Sequence, residues 1–249
     1  MKAIGLGSRL PASVPENVRV YAVGDIHGCA QLLDMLHDKI AEDAASASRE
    51  KHIVYLGDFT DRGPDSRGVV ERVLRKVPAG LTPHYIRGNH DQAVLDFLDE
   101  PETYRVWRGF GGAETLMSYG VRPPLFDIPE QIVAARDALR TRMPGEHLAF
   151  FNSLALKLVI GDYLFVHAGI RPGVPLDKQD EQDLMWIREE FLSSTSWPGK
   201  VIVHGHTPLP APVRTANRIS VDTGAYATGD LSCAVLEGTD CRFLQAKAS

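Results

Sequence analysis

Residues 18–28 read VRVYAVGDIHG, a β-prone run followed by the sequence glycine, aspartate, isoleucine, histidine, glycine. Val18 to Val23 is short, rich in valine and closed by Gly24, which is typical of a strand buried on both faces of a sheet. Asp25 and His27 follow directly. A buried strand whose end presents a carboxylate and an imidazole predicts an α/β sheet that gathers polar ligands at the carboxyl ends of its strands.

The same pattern recurs along the chain. Each later run is apolar and ends in a polar cluster that contains a glycine. The runs and their clusters are 53–56 with Gly57-Asp58, 84–86 with Gly88-Asn89-His90-Asp91, 163–166 with His167-Ala168-Gly169, 201–203 with His204-Gly205-His206-Thr207, and 219–221 with Asp222-Thr223-Gly224. Between the early runs, apolar residues at helical spacing include Leu32, Leu36 and Ile40. Alternation of strands and helices predicts an α/β core.

Three regions differ in pattern. Residues 1–17 contain Gly and Pro at positions that disfavour regular structure, so we expect an N-terminal tail. Residues 18–249 are predicted to form one catalytic domain. Within it, residues 92–150 are mostly helical in pattern and are broken by Gly111-Gly112 and Pro123-Pro124, which indicates a helical insertion that partly covers the site.

Composition excludes several classes of protein. The 249 residues are 44% hydrophobic and carry a net charge of −5, which is unlike a disordered chain and argues against a nucleic-acid partner. No apolar stretch approaches the roughly 20 residues that span a membrane. The three cysteines show no metal-binding or disulfide spacing, which fits a reducing compartment. We therefore expect a cytoplasmic protein.

Taken together, the strand ends offer oxygen and nitrogen ligands and no thiolate. These candidate metal ligands are Asp25, His27, Asp58, Asn89, His167 and His206. Each residue alone has a plainer interpretation: Asp25 or Asp58 could cap a helix, and His167 could be a buried, hydrogen-bonded histidine. Taken jointly, these strand ends, each with a glycine next to a potential ligand, favour a site for two divalent metal ions. We expect Mn²⁺ first, with Fe or Zn²⁺ as alternatives.

Three of the blocks resemble the signatures of the metallophosphoesterase superfamily: residues 24–28, 57–63 and 88–91. The sequence Asp61-Arg62-Gly63 points to the phosphoprotein phosphatase branch, which includes bacterial serine/threonine protein phosphatases and the symmetrical diadenosine tetraphosphatases. The resemblance covers the chain from about Val20 to Ala225. It implies a calcineurin-like fold, a β-sandwich flanked by helices.

The resemblance also implies roles for individual residues. Asp25 and His27 would bind the first metal ion, Asp58 would bridge both ions, and Asn89, His167 and His206 would bind the second. His90 would be the general acid, with Asp61 orienting it, and Arg62 would bind the phosphate. Arg188 follows Trp186 in a short element that matches the position of a second phosphate-binding arginine.

These roles imply a phosphatase. A water molecule that bridges two divalent cations attacks phosphorus directly as hydroxide, so no phosphoenzyme is expected. The substrates would be phosphomonoesters, chiefly phosphoserine and phosphothreonine in proteins, with phosphotyrosine and small phosphoesters also accepted. The element around Trp186 and Arg188 and the short C-terminal tail favour this interpretation.

Three alternatives remain. A symmetrical bis(5'-nucleosyl)-tetraphosphatase would use the same metal ions to cut a phosphoanhydride, and the site residues do not separate it from a protein phosphatase. A phosphodiesterase is disfavoured because Pro208 stands where such relatives carry an additional histidine ligand. A non-catalytic binding module is disfavoured because every expected ligand and acid position is filled.

Overall fold

The computed structural model describes residues 11–46 and 50–248. In these residues, ten strands form two five-stranded sheets. In chain order the strands are β1 (Val18–Val23), β2 (Glu50–Tyr55), β3 (Thr82–Tyr85), β4 (Lys157–Ile160), β5 (Tyr163–Val166), β6 (Val201–His204), β7 (Val213–Arg214), β8 (Arg218–Ser220), β9 (Asp230–Glu237) and β10 (Asp240–Lys247).

Ten α-helices connect or cover the sheets in the described part of the chain. They are α1 (Ala30–Ala44), α2 (Ser66–Arg75), α3 (Asn89–Asp99), α4 (Tyr104–Trp107), α5 (Gly112–Ser118), α6 (Pro129–Arg142), α7 (Gly145–Ser153), α8 (Glu181–Trp186), α9 (Glu189–Leu192) and α10 (Ala225–Thr228). None of the described helices is long and apolar enough to cross a membrane.

Both sheets have a parallel centre. The first sheet has the order β10-β9-β1-β2-β3, in which β1, β2 and β3 run parallel and β9 and β10 form an antiparallel hairpin. The second has the order β4-β5-β6-β8-β7, in which β5, β6 and β8 run parallel. The parallel strands of each sheet send their carboxyl ends to one edge, where ligands collect in α/β proteins.

Strand β1 shows how the layers stack. Its alternate residues Val20 and Ala22 belong to a buried cluster that also contains Phe165 from β5, so the two sheets pack face to face. Tyr21 and Val23 point the other way, into a cluster formed with the helices that follow the first three strands. A third cluster packs α8 and α9 against the outer face of the second sheet. The predicted α/β sandwich flanked by helices is confirmed.

Several boundaries differ from those predicted. The run predicted at 84–86 is the strand β3 at 82–85, and Ile86 makes only a single parallel bridge to Ala155. The antiparallel strands β4, β7, β9 and β10 were not predicted. Strand β10 alternates between exposed and partly buried residues on the first sheet's edge, so it lacks the continuous apolar run that marks the central strands.

The division into a tail, a catalytic domain and an insertion stays a prediction. Residues 1–10 of the predicted tail lie outside the described part of the chain. Val14 donates a backbone hydrogen bond to the Gly238 carbonyl, so the described end of this segment lies against the turn between β9 and β10. The range predicted as the insertion, 92–150, contains most of α3 and all of α4, α5 and α6.

A buried carboxylate joins two strand ends. Asp91, in the first turn of α3, accepts hydrogen bonds from the backbone N–H groups of Asp58, Phe59 and Gly88 at 2.8, 3.0 and 2.9 Å. Burial and the neighbouring Asp58 carboxylate raise the pKa of Asp91 to about 7. The loops after β2 and β3 therefore share one acceptor, and the first turn of α3 gains a carboxylate at its positive end.

We expect Asp91→Ala to lower the free energy of unfolding by about 3 kcal/mol or more, because three buried N–H groups lose their acceptor. Asp91→Asn should cost less, since the amide oxygen still accepts. Urea unfolding of the metal-free protein measures both values, with the exposed Asp99→Ala on the same helix as the control. Equal stabilities for Asp91→Ala and the control would show that this carboxylate does not join the loops.

Candidate metal centre

The six predicted ligands meet at the carboxyl edge of the sandwich. The segments that follow β1, β2 and β3 supply four of them from the first sheet, and the segments that follow β5 and β6 supply the other two from the second. All six are buried, at 5% exposure or less: Asp25, His27, Asp58, Asn89, His167 and His206. The structure therefore brings together every residue predicted as a metal ligand.

Asp58 lies at the centre of the cluster. Its Oδ2 atom is 3.4 Å from the Nε2 atom of His27 and 3.4 Å from the Nε2 atom of His167. Two groups of potential ligand atoms, each within 4.8 Å of one another, share this carboxylate. One group adds His27 and His90, and the other adds His167 and His206. A carboxylate shared by two groups is the arrangement that a bridging ligand requires.

Asp25 and Asn89 lie beside these groups. The carboxylate of Asp25 accepts a hydrogen bond from the backbone N–H of His206 at 3.0 Å. The Oδ1 atom of Asn89 lies 3.0 Å from Nε2 of His167. Burial and the nearby Asp222 carboxylate raise the pKa of Asp25. Both residues thus place an oxygen within reach of the second-sheet histidines.

Backbone carbonyl groups fix the tautomers of two histidines. The Nδ1 atom of His27 lies 2.8 Å from the Thr60 carbonyl oxygen, and Nδ1 of His167 lies 2.7 Å from that of Leu56. A carbonyl oxygen only accepts, so each Nδ1 carries a proton and each Nε2 faces Asp58, where it can bind a metal ion once it is deprotonated. Metal-binding histidines are oriented in this way in many proteins.

The donor set fits divalent cations. Burial disfavours the charged form of His167, but the carboxylates of Asp58 and Asp25 outweigh it and raise its pKa to about 10. Such a shift marks a buried cluster with excess negative charge. Among the described residues, no hydrogen-bond partner lies near the buried Nε2 atom of His206. Oxygen and imidazole donors without thiolate suit Mn²⁺, Fe or Zn²⁺.

The loops that carry the ligands are bent sharply. Of six described non-glycine residues with positive φ, five belong to the predicted site: His27, Asp58, Asp61, Arg62 and His206. A left-handed backbone is costly for such residues and is typical of functional sites. A Cβ atom at Gly88 would collide with the Asp58 side chain, which explains the glycine before Asn89.

His90 and Asp61 form a buried pair next to this cluster. The Nδ1 atom of His90 is 2.7 Å from Oδ2 of Asp61, so its Nε2 atom faces Asp58 at 3.9 Å. Burial opposes the charged form of His90, but the carboxylates of Asp58 and Asp61 outweigh it and raise its pKa. Asp61 also accepts hydrogen bonds from Trp107 and Thr115, at 2.8 and 2.6 Å.

Two exposed arginines lie at the rim. Arg62 follows Asp61 and donates to the hydroxyl of Tyr226 at 3.2 Å, while its guanidinium lies 4.8 Å from the centre of that ring. Arg188 donates to the carbonyl of His206 at 3.2 Å. Within the described chain, neither arginine forms an ion pair with a carboxylate. Guanidinium groups without acidic partners beside a metal centre can bind a phosphate group.

Sequence reasoning missed four residues of this site. Asp91 ends the third block, and its place as the third residue of a helix is a capping signal from which its role could be predicted. Tyr226 follows the last cluster and has no comparable signal. Trp107 and Thr115 reach Asp61 from 46 and 54 residues away along the chain, a distance that no local pattern reveals.

Curated relatives match most of the chain. One is 26% identical over 239 residues, covering 84% of this chain and 87% of the relative, and is named bis(5'-nucleosyl)-tetraphosphatase PrpE [asymmetrical] of Bacillus cereus (strain AH187). Another, with the same name, from Anoxybacillus flavithermus (strain DSM 21510 / WK1), is 23% identical over 231 residues with the same shares covered.

Solved structures share the fold. A putative diadenosine tetraphosphatase superposes with a TM-score of 0.62 at 22% identity, covering 96% of this chain and all of that chain. The cold-active protein-tyrosine phosphatase of a psychrophilic Shewanella species superposes with a TM-score of 0.56 at 18% identity, covering 94% and 83%. The sequence model described as calcineurin-like phosphoesterase matches residues 18–237. The chain is therefore a hydrolase that belongs to the calcineurin-like metallophosphoesterase family.

Proposed function

We propose that the chain hydrolyses phosphoester or phosphoanhydride bonds by direct attack of water, with two divalent cations in the buried cluster. The position of Asp58 supports this proposal, because one carboxylate is shared by two groups of ligand atoms. His27 and Asp25 would hold one cation, and Asn89, His167 and His206 the other. When bound, such cations lower the pKa of a water molecule and polarise the phosphoryl oxygens.

Mn²⁺ is the cation that we propose for both positions, with Fe or Zn²⁺ as alternatives. The cluster offers carboxylate, amide and imidazole donors, which these metals accept. The hydrogen bonds from His27 and His167 to backbone carbonyls would raise the basicity of both rings and hold them in place. A location in the cytoplasm stays a prediction from the cysteine pattern.

Arg62 and Arg188 are proposed to hold the phosphate. Both are exposed at the rim, and neither guanidinium donates to a carboxylate of the described residues. The Tyr226 ring supports the Arg62 side chain from one face, so the guanidinium is oriented before substrate arrives. Planar guanidinium groups bind phosphate oxygens in pairs, which orients phosphorus over the cluster.

His90 is proposed to donate the proton that the leaving oxygen needs. Asp61 accepts from Nδ1 of His90, which leaves the Nε2–H bond directed toward the cluster. The carboxylates of Asp58 and Asp61 raise the pKa of His90 against the effect of burial, which favours the protonated ring that a proton donor needs. Trp107 and Thr115 hold the Asp61 carboxylate in turn, so the donor stays oriented without substrate. General acids of this kind typically contribute about 10²- to 10⁴-fold.

For the substrate, we propose dinucleoside tetraphosphates first. The supporting observation is that relatives named bis(5'-nucleosyl)-tetraphosphatase match 84% of the chain. Phosphomonoesters such as phosphoserine or phosphothreonine in proteins are the second candidate. The element from Trp186 to Glu189 favours this second candidate, since it brings a second arginine to the rim as in bacterial protein phosphatases.

The metal centre can be tested by removing its shared ligand. Chelation should abolish turnover of an aryl phosphate, and Mn²⁺ should restore it. Metal analysis should find two ions per chain in the normal protein and fewer in Asp58→Asn, with turnover reduced about 10²-fold or more. Asp38→Asn, an exposed change on α1, serves as the control. Two ions and normal turnover in Asp58→Asn would contradict a bridging role.

The proton donor can be tested with leaving groups of different basicity. In His90→Asn, hydrolysis of an alkyl phosphate should fall by about 10²- to 10⁴-fold in kcat, because an alkoxide needs a proton to leave. Hydrolysis of 4-nitrophenyl phosphate should fall much less, since nitrophenolate leaves without one. If both substrates lose activity equally, His90 serves the metal centre and not the leaving group.

The substrate can be assigned by a direct comparison with Mn²⁺ present. We expect kcat/KM for diadenosine tetraphosphate to exceed that for phosphoserine and phosphotyrosine peptides by about tenfold or more, which corresponds to about 1.4 kcal/mol. Chromatography of the products distinguishes symmetrical cleavage to ADP from asymmetrical cleavage to ATP and AMP. A peptide that is hydrolysed tenfold better would make the phosphoprotein candidate the first choice.

A further inference from the structure

A groove of about 350 Å³ opens beside the metal centre. Its walls are α3, the segment from Thr103 to Phe110 that includes α4, and α8. Three aromatic residues line it: Trp107, Phe110 and Trp186. No predicted role in hydrolysis uses this space.

The groove is continuous with the reaction centre. Asn89, a proposed metal ligand, forms part of its lining. The Phe110 ring lies 5.6 Å from that of the proposed proton donor His90, and the Trp186 ring lies 6.2 Å from that of His206, measured between ring centres. A group attached to a phosphate bound at the cluster would therefore reach the groove within a short distance.

Phe110 and Trp186 form an aromatic pair at the mouth of the groove. Their ring centres are 5.6 Å apart with an angle of 55°, so the two rings contact one another and leave no room for a third ring between them. Both are half-buried and line the groove. A planar ligand would stack on the side of the pair that faces the groove, as nucleobases do on aromatic side chains.

The charge of the groove argues against an anionic occupant. Among the described residues that line it, Asp96 is the one that carries a charge, and the polar remainder includes the amides of Gln92 and Gln182. Gln92 already donates to Asp96 at 2.7 Å, which directs both side chains to the same rim. Among the described lining residues, a phosphate would meet one carboxylate and no cation, and Arg87 behind the lining already donates to the Gln92 amide oxygen. A neutral base offers amino groups that a carboxylate or an amide oxygen can accept.

We propose that this groove is a nucleobase subsite, which holds one base of a dinucleoside polyphosphate while its phosphate chain lies over the metal centre. The assignment rests on the proposed function and adds the place where one base of the substrate binds. The aromatic pair supplies stacking, and Asp96 with Gln182 supplies contacts to the edge of the base. The charged part of the substrate stays at Arg62 and Arg188, outside the groove.

Binding of adenosine tests the groove without the metal centre, because adenosine carries no phosphate. Trp186 and Trp107 line the groove, so adenosine should quench tryptophan fluorescence in the metal-free protein and ribose should not. Val106 lies on the rim and is 63% exposed, so Val106→Glu should fold and place a charge in the base position. Quenching by adenosine should be lost in Val106→Glu and kept in Val133→Glu, a matched change on α6 outside the groove.

Kinetics of the metal-loaded protein supply the second measurement. The ratio of kcat/KM for diadenosine tetraphosphate to that for 4-nitrophenyl phosphate should fall about tenfold in Val106→Glu, the size expected for loss of one stacked base. The ratio should be unchanged in Val133→Glu. A ratio that stays at the normal value in Val106→Glu, together with no quenching by adenosine, overturns the nucleobase subsite and leaves the proposed hydrolase intact.

Two other outcomes separate the proposals. If no phosphate substrate is hydrolysed with any of the three metals, the proposed function fails, and quenching by adenosine alone decides whether the groove binds a base. If Val106→Glu lowers kcat/KM for a phosphotyrosine peptide and not for diadenosine tetraphosphate, the groove holds a peptide side chain, and the nucleobase assignment is overturned.

Discussion

One buried carboxylate, that of Asp91, holds the two loops on which the reaction centre depends. It accepts three backbone N–H groups, from Asp58, Phe59 and Gly88, and so fixes the ends of β2 and β3 at a set separation. Asp58 can then adopt its left-handed backbone and turn its side chain toward His27 and His167. A carboxylate that bonds to backbone tolerates no rotamer change, since each of its N–H partners is buried.

Much of the fold and of the site could be predicted from the sequence, because each ligand stands next to the strand that positions it. The local signal is a buried strand whose end is followed, within about five residues, by a glycine and a potential ligand. Every ligand predicted from this signal lies in the observed cluster. The hairpin of β9 and β10 gave no such signal, because no candidate ligand follows the buried strand β9 and β10 is only partly buried. Trp107 and Thr115 were beyond local reasoning, because they meet Asp61 only after the helices between 92 and 150 have packed.

In the proposed function, the ends of the sheets serve catalysis, and the helical segment between 92 and 150 affects which substrate binds. The sheet ends supply the cluster, and the roles that we propose for its residues are common to phosphoryl transfer. The helical segment contributes Trp107 and Thr115 to the Asp61 carboxylate and Phe110 to the groove, so one segment both orients the proposed acid and shapes the space beyond the phosphate. Changes in this segment can therefore alter the choice of substrate while the sheet ends keep the same chemistry.

The origin of the ligands in both sheets has a consequence for the lifetime of the protein. Asp58 and Asn89 follow strands of the first sheet, whereas His167 and His206 follow strands of the second. Cations bound in the cluster would therefore link the two sheets of the sandwich. A ligand that binds only the folded chain stabilises it in proportion to the logarithm of its free concentration. Scarcity of the metal would then lower the free energy of unfolding as well as the turnover, and a chain that unfolds more often is more open to proteases.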